Sequence, residues 1–323
     1  MIEKIVFIFS SRLFRQRKIF RTLIKLSRFW YQIRGKTLNF DANRFEKSVW
    51  VSSPCEKKAG HKSKSIELVV VSTSKDFAIL KYSVTYALRA IEDYSSGGVR
   101  IIVPEKDLGE CEQLFSKTGI EIKVINENTL VSKNQFSKLS QHFSLRDTWV
   151  LQQILKVQAV LTSEADAVLI LDSDTLLLRK RPWFDQNAKQ ILTPTYEFNA
   201  PYYIFLNKLI STKKIPDYTF VSHHMIIQPN ILRQILGNNK LLILDNLIDY
   251  CCINSDKSVQ SPICIEYELY GQYLTSRDKN KVFFALWSNA TIPKKYFQTV
   301  IKSKFMRFLL TRMFNSISFH SWS

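Results

Sequence analysis

Beyond residue 65 the apolar positions follow two alternating rhythms, and the alternation outlines the fold. Ile66-Glu-Leu-Val-Val-Val-Ser72 is a short β-branched run of the kind that forms buried parallel strands. Helical spacing follows through Tyr82–Ile91. Val99-Arg-Ile-Ile-Val103, stopped by Pro104, predicts a second strand. A helix near Glu110–Lys117 then leads into a third strand, Ile120-Glu-Ile-Lys-Val-Ile125. Asp147–Leu161 predicts a helix whose apolar face is Trp149, Ile154, Leu155, Val157 and Val160. Ala167-Val-Leu-Ile-Leu171 is a fourth buried strand. Farther on, Tyr218–Gln228 reads as a strand, Ile231–Leu236 as a short helix, and Glu266–Leu274 as the start of another. Strands alternating with helices predict an α/β fold with a mixed, mainly parallel sheet flanked by helices.

The first fifty residues differ from the rest. From Met1 to Lys36 ten Lys or Arg stand against one acid, Glu3. Between them, Leu13, Phe14, Ile19, Phe20, Leu23, Ile24, Leu26, Phe29, Trp30 and Ile33 recur near helical spacing. Residues 1–50 are therefore expected to be a basic amphipathic helical extension. Residues 51–65 are polar, contain Pro54 and Gly60, and read as a linker to a catalytic domain spanning 66–323.

Composition narrows the partners. The chain of 323 residues is 46% hydrophobic and 13% aromatic, which excludes wholesale disorder. A formal charge of +18 favours phosphate-bearing partners, whether nucleotides, nucleic acid or anionic lipid. The five cysteines lack CxxC spacing, so neither a zinc site nor a disulfide framework is expected. The N-terminal apolar run is too short for a signal-peptide core or a membrane span, and a cytoplasmic protein is expected. Lys294, Lys295, Lys302, Lys304, Arg307 and Arg312 give the C-terminal stretch a second basic, partly apolar surface, with no acid after Asp278. The two basic ends could together meet an anionic membrane on the inner face of the cell membrane, and the competing reading of the N-terminal helix is packing on the core with its charges solvated.

The chemistry is densest at Asp172-Ser-Asp174, where a buried strand runs into two carboxylates spaced i, i+2. On extended backbone both side chains project to one side. Two like charges there need a cation, and a divalent ion such as Mn²⁺ or Mg²⁺ keeps positions open for diphosphate oxygens. The end of a parallel strand is also where α/β proteins place ligands.

Trp149-x-x-Gln152-Gln153-x-x-Lys156 followed by Val168-Leu-Ile-Leu-Asp-Ser-Asp-Thr175 resembles glycosyltransferases of the GT-A (Rossmann-like) fold. The Glu266-Tyr-Glu268-Leu-Tyr-Gly271 and Phe319-His320-Ser-Trp322 segments extend the resemblance to a bacterial, DUF6492-like family of uncharacterised proteins associated with surface polysaccharides. The resemblance covers residues 66–323 and implies a nucleotide-sugar donor, UDP-linked by preference, and a glycan or lipid-linked acceptor. It implies Asp174 as the main metal ligand, Asp172 as the supporting one, and His320 as a third. Thr73, Ser74 and Asp76 at the end of the first strand, with Ser173, would meet the nucleotide, although Ser74 or Asp76 could equally cap a helix. Gln153 and Lys156 would reach the diphosphate or donor sugar, although without the resemblance Lys156 reads as a solvated helix lysine. Glu266, then Glu268, is the candidate base for the acceptor hydroxyl, though either could simply stabilise a helix N-terminus. His223 and His224 are candidate acceptor contacts, with a structural histidine as the competing reading.

Three other classes compete. A haloacid-dehalogenase-type phosphohydrolase also uses Asp-x-Asp-Thr after a strand, but that motif opens its fold, whereas here three strands precede it. A nucleotidyltransferase normally has a Gly-rich loop after its first strand, and Ser72-Thr-Ser-Lys-Asp76 has none. A nucleic-acid-binding protein accounts for the charge, yet the cations sit at the ends of the chain without a known motif, so no nucleic-acid partner is expected.

Overall fold

The computed structural model describes residues 64–185, 188–195, 199–211, 219–256, 259, 262–277, 282–285 and 287–320. The expected extension at 1–50, nearly all of the linker, and Trp322 lie outside the described residues. The elements are β1 (Ser65–Val71), α1 (Phe77–Ala90), β2 (Ser95–Val103), α2 (Leu108–Phe115), β3 (Lys123–Asn126), α3 (Lys133–Phe143), α4 (Asp147–Leu161), β4 (Ala167–Asp172), β5 (Thr175–Leu177) and β6 (Gln190–Leu192). They continue with α5 (Ala200–Ile210), β7 (His224–Ile227), α6 (Pro229–Gly237), α7 (Leu244–Asn254), α8 (Glu268–Arg277), β8 (Val282–Phe284), β9 (Asn289–Pro293), α9 (Phe297–Lys302), α10 (Lys304–Met313) and β10 (Ser316–His320).

The central sheet has the order β3-β2-β1-β4-β7. Its first four strands are parallel and β7 runs antiparallel to β4. The expected mixed, mainly parallel sheet flanked by helices is thus the observed fold. Strand periodicity explains why both faces are covered. Val69 and Val71 of β1, with Val168 and Ile170 of β4, join a core shared with α3, α4 and α5. The intervening Leu68, Val70, Leu169 and Leu171 join an opposite core with α1 and α2. Each such side chain contributes about 1.5–3 kcal/mol on burial.

Two smaller sheets complete the domain. In one, β10 lies between antiparallel β5 and parallel β9, over a third core containing Phe297, Val300, Ile301, Leu310 and Phe319. In the other, β6 pairs with β8. The register sets Ser318 opposite Thr175, so the last residues of the described chain return to the acidic motif.

Several boundaries differ from the sequence pattern. The expected strand over Tyr218–Gln228 shrinks to His224–Ile227, with Thr219 making only an isolated bridge to Thr195. The cause is a turn. His223 adopts φ +62°, and the Ser222 hydroxyl donates to the His224 carbonyl at 2.7 Å, which breaks the ladder. The third strand starts at Lys123, not Ile120. Helix α3 was not expected, although a Ser132–Gln135 capping box marks its start.

Helix α8 crosses the chain closely at Gly271. A Cβ there would lie 2.3 Å from Phe220 Cδ2, inside a packed core. Gly271→Ala is expected to destabilise the domain by about 1–3 kcal/mol, because overpacking outweighs the gain in helix propensity. A urea melt checks this, and a variant at least as stable as wild type would mean that Phe220 yields freely.

Candidate functional site

The site forms where β4 ends. Asp172 is the last residue of the strand, and its backbone N–H donates to the His223 carbonyl at 2.9 Å. Its carboxylate is engaged on both oxygens. Lys156 Nζ donates to Oδ1 at 2.5 Å, and the Tyr267 hydroxyl donates to the same oxygen at 2.7 Å. His223 Nδ1 lies 3.0 Å from Oδ2. The left-handed backbone at His223, costly for a residue with a Cβ, turns its imidazole onto this carboxylate.

Lys156 extends from α4 and is only 4% exposed. Its Nζ also lies 2.6 Å from Glu266 Oε2, off the ideal hydrogen-bond direction. Burial by itself would lower the Lys156 pKa, but Asp172 and Glu266 outweigh it and hold the ammonium protonated. Burial would likewise raise Asp172, yet Lys156 and His223 keep its carboxyl well below the usual carboxylate range. Glu266 is pushed upward, chiefly by burial, with Lys156 opposing and Asp172 reinforcing. The Tyr267 phenol is also raised, by burial and then by the two neighbouring carboxylates, and stays a donor.

Asp174 follows at the start of the β5–β10 sheet. Its carbonyl accepts from Phe319 N–H at 2.9 Å, and its Oδ2 lies 3.1 Å from His320 Nδ1. Thr175 and Ser318 hydroxyls hydrogen-bond at 2.8 Å and fix this cross-strand pair. The His320 and His223 ring centroids are 5.0 Å apart, so two imidazoles sit beside the two carboxylates. Among the described residues, no three His, Cys, Asp or Glu side chains are gathered closely enough to enclose a metal ion. The donor chemistry nevertheless fits Mn²⁺ or Mg²⁺. Asp174 and His320 offer a carboxylate and an imidazole at one edge, an open set that phosphate oxygens and water can complete.

The β1 loop borders the same place. Ser173 Oγ donates to Asp76 Oδ2 at 3.1 Å, while the Ser173 carbonyl accepts from Ser83 at 2.8 Å. Thr73 Oγ1 is buried and has no hydrogen-bond partner among the described residues. Ser74 is anchored through its N–H to Asp107 Oδ2 at 2.9 Å. Lys294, which the sequence reading did not place here, donates to Asp76 Oδ1 at 2.8 Å and to the Lys75 carbonyl. No local motif marks Lys294. Only the return of β9 and β10 to the acidic pair brings it in.

Three of the expected site residues serve the scaffold. Gln153 is fully buried and spends its amide on the 263–265 backbone, accepting from Ile265 N–H at 3.0 Å and donating toward Ile263 O at 3.4 Å. It thereby positions Glu266 instead of facing a donor. Glu268 accepts from Phe220 N–H at 2.5 Å and from Gln272 Nε2 at 2.9 Å, which anchors the turn before β7. Burial pushes its carboxyl up to about 7, against the hydrogen bonds that pull it down. His224 points away from Asp172 into the core. Its ring lies 4.2 Å from Trp287 and 5.6 Å from Trp183, and burial pushes its pKa down to about 3. Neutral His224 is therefore a packing residue, and the expectation of an acceptor contact is corrected. The left-handed turn at His223 directs that ring to Asp172, while His224 begins β7 with its ring in the core.

Among solved structures, the galactosyltransferase LgtC, in complex with donor and acceptor sugar analogues, is 14% identical, covering 78% of this chain and 86% of that one with a TM-score of 0.40. Apo mouse xyloside xylosyltransferase 1 is 12% identical, covering 80% and 98%, also at 0.40. The glycosyltransferase GlyE of Streptococcus pneumoniae TIGR4 is 11% identical, covering 80% and 55%, at 0.37. No curated protein matches the sequence. Residues 77–192 match DUF6492, a family of unknown function. The DUF6492 match runs from α1 to β6, so it includes Lys156, Asp172, Ser173 and Asp174 but neither Glu266 nor His320.

Proposed function

We propose that this chain is a metal-dependent GT-A-type glycosyltransferase that moves a sugar from a nucleotide-sugar, UDP-linked by preference, to a glycan or lipid-linked acceptor in surface polysaccharide synthesis. The observation that carries the reading is the convergence of Asp172, Ser173 and Asp174 with His320, His223 and Lys156 at the end of a central parallel strand. Asp174 and His320 would hold a divalent cation, which when bound neutralises diphosphate charge on the donor. Thr73, Asp76 and Ser173 border the nucleotide, and the unpartnered Thr73 hydroxyl is available to ribose or base. Lys294 supplies a cation at that loop. Asp172 serves as the centre of a charge network that holds His223, Tyr267 and Lys156 in fixed positions. Both of its oxygens are engaged, which disfavours the phosphohydrolase reading in which it would attack phosphorus.

Glu266 is the candidate base. Unlike Glu268, its carboxylate anchors no backbone N–H among the described residues, and its partner Lys156 leads directly to the acidic pair. It would take the acceptor hydroxyl proton as that oxygen attacks the anomeric carbon and the nucleoside diphosphate departs.

Calorimetric titration of UDP tests the reading. Binding to the wild-type chain is expected to require Mn²⁺, and Asp174→Ala should weaken it roughly tenfold or more. UDP binding that ignores both metal and Asp174 would remove the donor-site assignment.

A further inference from the structure

Helix α10 exposes what helices of this kind normally bury. Phe305 is 70% exposed, Phe308 56% and Leu309 39%, at the i, i+3, i+4 spacing that puts them on one face. The opposite face is fixed, since Leu310 and the following Phe314 belong to the third core with Val300 and Ile301. Both ends of the helix are tied down. The Ser303 hydroxyl accepts from Met306 N–H at 3.2 Å, and Arg179 donates to the carbonyls of Thr311 and Arg312 at 2.6 and 2.5 Å. The helix cannot roll to hide its phenyl rings without giving up these contacts.

Cations surround the apolar face. A shallow concavity of about 460 Å³ beside it is lined by Lys304, Arg307 and Arg312 with Phe308, Tyr86 and Thr311. Arg312 stacks 4.5 Å above the Phe308 ring, and Lys302 is exposed at the preceding turn. No acid follows Asp278 in the sequence. The basic N-terminal segment of the same chain is a poor occupant, because its ten cations to Lys36 would repel this face. A surface that pairs projecting aromatic and leucine side chains with Lys and Arg matches the interface of an anionic bilayer, where rings enter the acyl boundary and cations meet phosphates. We infer that the α10 face, Phe305, Phe308 and Leu309 with Lys304, Arg307 and Arg312, docks this chain on an anionic lipid surface. The strand that follows, β10, ends at His320 beside Asp174, so docking would hold the site near the membrane. The inference does not depend on the transfer reaction.

Flotation of the full chain with vesicles of equal parts phosphatidylcholine and phosphatidylglycerol tests it, with pure phosphatidylcholine as control. The wild-type chain is expected to float with the anionic vesicles and to release as salt rises. Phe305→Ser/Phe308→Ser and Lys304→Glu/Arg307→Glu should each lower the partition coefficient roughly tenfold or more. Both pairs lie on the solvent side, so thermal melting and UDP binding should match wild type. This separates failure of the docking face from failure of the transferase reading. A wild-type chain that stays with neither vesicle overturns the inference. So do variants that float undiminished, which would assign any binding to other basic segments, and a random oligonucleotide that displaces the anionic vesicles, which would make this a nucleic-acid surface.

Discussion

Lys156→Met is expected to destabilise the domain by about 3–5 kcal/mol, the usual cost of stranding buried charge when one partner of an ion pair is removed. The side chain lies between Asp172 Oδ1 at 2.5 Å and Glu266 Oε2 at 2.6 Å, with the Tyr267 hydroxyl at 3.2 Å and its ring at 5.0 Å. Methionine matches the volume but leaves two carboxylates facing each other across an apolar gap. His223 and Tyr267 still stabilise Asp172. Among the described residues Glu266 has no comparable second partner, and it would respond by taking up a proton. The linkage sign follows. Burial already raises the Glu266 pKa above its unfolded value, and loss of Lys156 raises it further. The folded variant then holds a proton that the unfolded chain releases, so its stability falls as pH rises above the unfolded pKa. The deficit relative to wild type should be smaller near pH 5 than near pH 8. Adding Glu266→Gln should recover part of it, because the neutral amide needs no counter-charge. Urea denaturation of the two single variants and the double variant at both pH values measures this. A deficit independent of pH and untouched by Glu266→Gln would show that the ion pair is not what Lys156 contributes.

How much of this arrangement the sequence discloses depends on range. The β1 and β4 runs are legible because both faces of the strands are buried, which leaves a nearly continuous apolar signal. The acidic pair is legible for the same reason: charge following such a run has a fixed location. Long-range partners are not legible. Lys156 and Glu266 are 110 positions apart, and nothing local distinguishes a helix lysine buried between carboxylates from a solvated one. Likewise, the residues around Glu266 and Glu268 do not say which of them faces the site. The distinction depends on Gln153 holding the 263–265 backbone and on the Phe220 N–H reaching Glu268. For His223 and His224, strand alternation predicts that one of the pair faces away from the site, but not which one. The Trp287 and Trp183 rings that enclose His224 come from distant loops. The β5–β10 pairing that brings His320 to Asp174 has no signature in either short strand.

Glu266→Gln should have the largest effect on chemistry, lowering sugar transfer by about 10²- to 10⁴-fold, the range that a general base contributes. The substitution keeps shape and burial, and Lys156 retains Asp172 and Tyr267 as partners, so stability should change far less than in Lys156→Met. UDP release from the donor sugar, once screening has identified it, provides the measurement in the presence of acceptor. The carboxylate must be ionised to accept a proton, and burial raises its pKa. Wild-type activity should therefore climb on an acid limb displaced upward from the ordinary glutamate range, and that limb should vanish in the glutamine variant. UDP affinity should be unchanged, because Glu266 has no place in the nucleotide cradle. Transfer within about tenfold of wild type, with its acid limb intact, would move the base elsewhere. Glu268 would not be the natural successor, because ionised or not it is committed to Phe220 and Gln272. Of the remaining carboxylates at the site, Asp172 and Asp76 are each held by a lysine, and Asp174 is assigned to the cation with His320. A chain that transfers sugar without Glu266 would therefore have no spare carboxylate base at this site, and a retaining mechanism, which needs none to activate the acceptor, would become the better account.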